Sequence, residues 1–186
     1  MNNLAYDELE ARCKPIIEAE VLQREIAFAD LVGEITSSAV AAGQPGGSRP
    51  ALYFEKEYQK ELASRCALVW NTIKEQNDLS RKFARNELAD GAKSFFYDTV
   101  EKYRSHLAKD LKNRTRKVCK ERKILEQRFE MMEYQHILLK QYASEIERWA
   151  YENEYQLMEK SREGRLKLSN LFLRVISWIV RFFTGK

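Results

Sequence analysis

Between Ala92 and Glu163 the chain runs for 72 residues without a glycine or a proline. Those residue types most often stop a helix, glycine through backbone entropy and proline through its missing N–H and its ring. The segment is therefore free to be helical throughout. Unbroken, it would be a rod of roughly 108 Å at about 1.5 Å per residue, too long to bury its own apolar stripe in a monomer of this size. It must fold back as a hairpin near the polar run 112–117, or lie along another long helix of this chain or of a second copy.

Apolar spacing within the segment follows the same logic. Phe96, Val100, Tyr103, Leu107 and Leu111 form one seam, and Leu125, Phe129, Met132, His136, Leu139, Ala143 and Ile146 form a second. The three-and-four alternation is coiled-coil-like. Upstream, Leu9, Cys13, Ile16, Ile17, Val21, Phe28, Val32 and Ile35 recur at helical spacing, interrupted near Arg24, with Pro15 as a candidate bend. Phe54, Tyr58, Leu62, Cys66, Val69 and Ile73, with Trp70 beside them, predict a second helix. The loop Gly43–Pro50 separates the two, its second proline suited to start the next helix. Asn77-Asp78-Leu79-Ser80 supplies side chains that compete with the helical backbone and predicts a break, and Asp90-Gly91 is the next candidate. Strand-like alternation is absent. The expected fold is all-α: a helical bundle with a long coiled-coil-like helix or hairpin and a C-terminal amphipathic helix. Its divisions are 1–42 (N-terminal amphipathic helix), 43–50 (flexible loop), 51–164 (helical, coiled-coil region) and 165–186 (cationic amphipathic helix).

The formal net charge of +4 conceals strong segmentation. Residues 1–61 carry net −5, 102–128 net +8, 129–160 net −4 and 161–186 net +5. Each positive block is able to attract a polyanion. The first is Lys109, Lys112, Arg114, Arg116, Lys117, Lys120, Arg122 and Lys123, suited to phosphates of a nucleic-acid backbone or a lipid surface, or else to acidic neighbours within the fold. No helix-turn-helix, zinc-finger or RNP pattern accompanies it.

The second block ties charge to a large apolar surface. On a wheel at about 100° per residue, Lys167, Asn170, Arg174, Ser177 and Arg181 share an arc of about 80°. Leu171, Phe172, Val175, Trp178, Ile179, Phe182 and Phe183, with other apolar residues, fill nearly all the rest. So wide an apolar face must be covered by protein or by lipid. As a membrane-spanning helix, residues 166–183 would reach only about 27 Å against a hydrocarbon core of about 30 Å, with Arg174 near the middle. As an interfacial helix, the cations face headgroups while Trp178 and the phenylalanines enter the acyl boundary. Burial inside a bundle is the third solution.

Catalytic patterns are missing. The histidines are His106 and His136; Glu133-x-x-His136 matches half of a di-iron carboxylate motif, but Tyr103 stands where the second half needs a glutamate. His136 is in register with the second seam and is expected in a core or interface. The Gly43–Gly47 stretch lacks the Gly-Lys-Ser/Thr ending of a phosphate-binding loop. Tyr134, Tyr142, Trp149, Tyr151 and Tyr155 are read as helix-packing aromatics rather than base-stacking ones, because the local charge is negative. Cys13, Cys66 and Cys119 cannot all pair within one chain, which favours reduced thiols, and no signal-peptide pattern opens the sequence. The expectation is a non-enzymatic assembly or scaffold protein, cytoplasmic and peripheral to the inner face of a membrane. It needs no cofactor, metal or small-molecule substrate. Its partners are a second copy or a helical protein and an anionic membrane surface, with nucleic acid as the rival partner.

Overall fold

The computed structural model describes the backbone of residues 4–41, 48–118 and 132–184 and, among these, the side chains outside 39–40, 48–52, 77, 116–118, 132–133 and 163–184. The described residues form four α-helices and one 3-10 turn: α1 (Leu4–Ala41), α2 (Ser48–Lys74), the turn Asn77–Arg81, α3 (Arg85–Val118) and α4 (Met132–Thr184). No described residue is in a strand, and the fold is all-α.

Side-chain pairings give the direction of each helix. Arg12 meets Asp78 just past the end of α2, Arg24 meets Glu61 and Phe28 meets Tyr58, so α1 and α2 are antiparallel. Tyr58 meets Asp110 and Arg65 lies over Tyr103, which makes α2 and α3 antiparallel as well. Arg85 pairs with Glu154, Lys93 with Glu147, Phe96 with Tyr142 and Glu101 with Gln135. The two described parts of the long glycine- and proline-free segment, 92–118 and 132–163, thus run antiparallel to each other. Helices α1, α2 and α3 pack mutually, and α4 lies against α3 and, less extensively, α2.

The core forms where apolar spacing is most regular. Phe54, Tyr58, Leu62, Cys66, Val69 and Ile73 are wholly buried, as are Phe96, Val100 and Leu111, with Tyr103 and Leu107 nearly so. Each large apolar side chain removed from water contributes roughly 1.5–3 kcal/mol. The break after α2 falls where competing side chains predict it. Leu79 is buried and its carbonyl accepts from the amides of Lys82 and Phe83, so the chain turns around a planted leucine.

The structure differs from expectation at several points. Asp90-Gly91 does not end a helix; α3 passes through it, and a Cβ on Gly91 would sit 2.8 Å from the Tyr6 nitrogen and 2.9 Å from Ala5 Cβ. Glycine is there because α1 crosses α3 backbone against backbone. His136 is exposed, not in the seam. Among the described side chains of α4 the buried ones are Gln135, Leu138, Ile146, Trp149, Ala150 and Asn153, because Trp149 and Tyr142 rotate the helix toward Trp70 and Phe96. Leu125 and Phe129 lie outside the described residues. Finally, α2 already begins at Ser48, with Pro50 in its first turn where the missing N–H has no partner to lose. No helical break separates 165–186 from what precedes it: α4 continues through Gly164.

Candidate functional site

Of the eight basic residues of the first polyanion cluster, the side chains of Lys109, Lys112 and Arg114 are described. Lys109 and Lys112 are exposed on α3. Arg114 is half-buried and donates to Asp110 at 2.9 Å, and Asp110 also accepts the Tyr58 hydroxyl. Burial, reinforced by that carboxylate, raises the Tyr58 pKa well above the ordinary phenol value. Arg116 and Lys117 belong to α3, but their side chains lie outside the described residues, as do Lys120, Arg122 and Lys123 altogether. The one cation of the set whose contacts are described is partly neutralised within its own helix.

The tail residues Lys167, Leu171, Phe172, Arg174, Val175, Trp178, Ile179, Arg181, Phe182 and Phe183 all lie on the last third of α4, whose backbone is helical to Thr184. Their side chains are outside the described set. Helix α4 has 53 residues, about 80 Å at 1.5 Å per residue. Among the described residues no helix is long and apolar enough to cross a membrane. The aromatics before the tail divide into two groups. Trp149 is buried against Trp70 and Tyr134 and Tyr142 are half-buried, whereas Tyr151, Tyr155 and Met158 are more than half exposed. That outward stripe, at i, i+4 and i+7, is not covered by the described residues of this chain.

Two further features lack a counterpart among the expected sites. The first is a buried ion network between α1 and α2. Arg65 is 1% exposed and donates to Glu61 at 2.9 Å and to Glu25 at 3.3 Å; Glu61, 8% exposed, also accepts from Arg24 at 3.1 Å. The Arg65 guanidinium lies 5.4 Å from the centre of the Tyr103 ring, and His106 Nδ1 approaches Glu25 at 3.7 Å. The interruption of the α1 stripe near Arg24 is this network entering the core. On the outer side, an open groove of about 430 Å³ is lined by Glu18, Val21, Leu22, Glu25, Lys102, Tyr103 and His106.

The second is a second apolar stripe on α1. Ala11, Pro15, Ala19, Leu22, Ile26 and Ala29 are all exposed, Leu22 and Ile26 to 63% and 64%. Gly33 continues the line, and a Cβ added there would meet nothing within 4 Å. Spacings of four and three between Pro15 and Gly33 are the sequence signal that reveals it. Helix α1 thus has apolar residues on two faces, and only one of them is covered by α2 and α3.

Nucleophilic chemistry has no support among these groups. Burial pushes the Cys13 thiol up to about 11 and the Cys66 thiol up to about 12, so both stay protonated near neutrality. No group of three or more potential metal ligands occurs among the described residues. Compared with known proteins, the chain matches no family model, no curated protein and no solved structure.

Proposed function

We propose that this is a non-enzymatic helical assembly protein that attaches to an anionic membrane surface through its C-terminal helix, and that gathered tails perturb the bilayer. The observation that carries the reading is the pattern of residues 166–183: a narrow cationic edge on an otherwise apolar helix, continuous with α4. Such a helix lowers its free energy by laying its apolar arc in the acyl boundary while Lys167, Arg174 and Arg181 stay among headgroups. The protein then sits on the cytoplasmic side of the membrane, where anionic lipids are concentrated and unpaired cysteines stay reduced. The exposed α1 stripe supports the assembly half of the reading, since an apolar face of that length favours cover by another helix.

Flotation with liposomes tests attachment. Full-length protein is expected to float with anionic vesicles far more than with neutral ones, and the chain cut after Arg165 to stay in the bulk. Replacing Lys167, Arg174 and Arg181 together by serine removes about 1 kcal/mol per cation, so partitioning to anionic vesicles falls on the order of a hundredfold. Trp70 and Trp149 are buried in the bundle, so a blue shift of tryptophan emission on adding vesicles reports Trp178. Equal flotation of the truncated chain would remove the membrane reading. Salt-sensitive nucleic-acid binding that survives this truncation would favour the rival partner, with the basic stretch of α3 tracking phosphates.

Assembly is tested separately, without lipid. Leu22→Glu with Ile26→Glu places two charges on the exposed α1 stripe, at side chains 63% and 64% exposed. The expected result is a fall in solution mass, by sedimentation, from oligomer to monomer with helicity unchanged. A wild-type chain monomeric at all concentrations would refute self-association.

A further inference from the structure

The 3-10 turn Asn77–Arg81 and the stretch of α4 passing it enclose a cleft of about 280 Å³. Its walls include Ser80 and Arg81 from the turn and Asn153, Gln156 and Lys160 from α4. Asp78 also lines it, but that carboxylate is held by Arg12 through two hydrogen bonds of 3.0 and 2.8 Å, and its charge is compensated. Arg81 and Lys160 are exposed, and no carboxylate among the described residues forms an ion pair with either. Asn153 is 8% exposed, and its side-chain Nδ2 is buried without a hydrogen-bond partner. A buried amide donor left unpaired is costly, and a bound water or ion is one of the few things that offsets that cost in a native fold.

We propose that this cleft is a phosphate-binding site. Two cations without carboxylate partners among the described residues supply charge, and the Asn153 amide, with the Gln156 amide on the same helix, supplies donors to phosphate oxygens. The volume admits a phosphate group and is open to solvent. Lys160 stands six residues before Leu166 on the same helix, about 9 Å along the axis, so the cleft borders the start of the amphipathic tail. A lipid carrying a phosphate monoester and free phosphate are the two sources of this chemistry. The site goes beyond the membrane reading and holds for free phosphate without it.

The test uses the full-length chain with inorganic phosphate, followed by calorimetry and by the NMR shift of the Asn153 side-chain amide. Saturable binding is expected, weakened at least tenfold by Arg81→Gln with Lys160→Gln, two exposed positions that leave the fold intact. Asn153→Leu, nearly isosteric, is expected to weaken binding while leaving stability unchanged or higher, because it removes the unpaired group. A parallel arm uses phosphatidylcholine vesicles doped with phosphatidic acid, with the Lys167, Arg174 and Arg181 to serine variant to suppress attachment through the tail. Residual flotation that vanishes in the Arg81→Gln, Lys160→Gln background assigns the lipid source. Binding of inorganic phosphate without residual flotation of that variant keeps the site and assigns free phosphate as its source, while the membrane reading stands or falls on flotation of the unaltered full-length chain. Absence of both responses, or binding indifferent to these substitutions, overturns the site.

Discussion

Arg65→Ala is expected to cost about 3–5 kcal/mol of folding stability, measured by urea denaturation. The expectation follows from which partner is left behind. Glu61 is 8% exposed and loses its 2.9 Å donor, keeping only Arg24 at 3.1 Å, whose own side chain is 38% exposed. Leaving a charged Glu61 at 8% exposure with one partner fewer is what makes the loss large. Removing both deep members together should behave differently. Glu61→Leu with Arg65→Met replaces the pair by apolar groups of similar length, while Glu25 and Arg24 are exposed enough to turn to water. That double variant is expected to cost less than Arg65→Ala alone, since desolvation of a buried pair offsets most of its attraction. A double-mutant cycle separates the two contributions. An Arg65→Ala loss below about 1 kcal/mol would mean that the pair is effectively solvated. The network also fixes register: Arg24 and Glu25 on α1 meet Glu61 and Arg65 on α2, and a slip of one turn, about 5.4 Å, breaks every contact at once.

How much of this was readable beforehand depended on whether a residue's neighbours were local. Helices α2 and α3 were legible because their apolar residues repeat with the helical period and meet one face of a single core; every member of the Phe54 to Ile73 seam is buried. The break at Asn77–Arg81 was legible because its side chains compete with the backbone locally. Gly91 was misread because glycine has two uses, a helix stop and a close crossing, and only the position of Tyr6 and Ala5 decides between them. His136 was misread for a related reason. A seam written as a heptad allows the helix to turn by one position, and the edge-to-face contact of Trp149 with Trp70 sets the rotation. Candidate sites were less legible still. The phosphate cleft joins residues 78–81 to residues 153–160, and its informative feature is an unpaired amide, which no sequence pattern records. The ion network left one trace, the lapse of apolar spacing at Arg24. Arg65, three residues after Leu62 and four before Val69, shows how a charge at seam spacing signals a buried partner.

Trp149→Ala is the second large effect, also about 3–5 kcal/mol, and its consequence differs in kind. Trp149 is 8% exposed, and its ring lies 5.9 Å from that of Trp70 at 82°, an edge-to-face contact that adds to the area it buries. Helix α4 packs on α3 and, less extensively, on α2, while α1, α2 and α3 share a core of their own. Loss of the indole therefore weakens the attachment of α4 more than the three-helix core. Amide hydrogen exchange is expected to quicken along α4 and at its turn-facing residues while the amides of α2 near Leu62 and Cys66 keep their protection. Trp149→Phe, which keeps an aromatic edge against Trp70, should recover most of the loss. Uniform acceleration across all four helices would show instead that the bundle opens as one unit. The distinction bears on function because the tail and Lys160 belong to α4. A bundle whose last helix has lost this tryptophan contact keeps the tail's lipid contact in the Trp149→Ala variant, but it loses the fixed placement of Asn153 and Lys160 against Arg81. Membrane attachment should then persist while phosphate binding falls, which separates the tail's contribution from that of the cleft beside it.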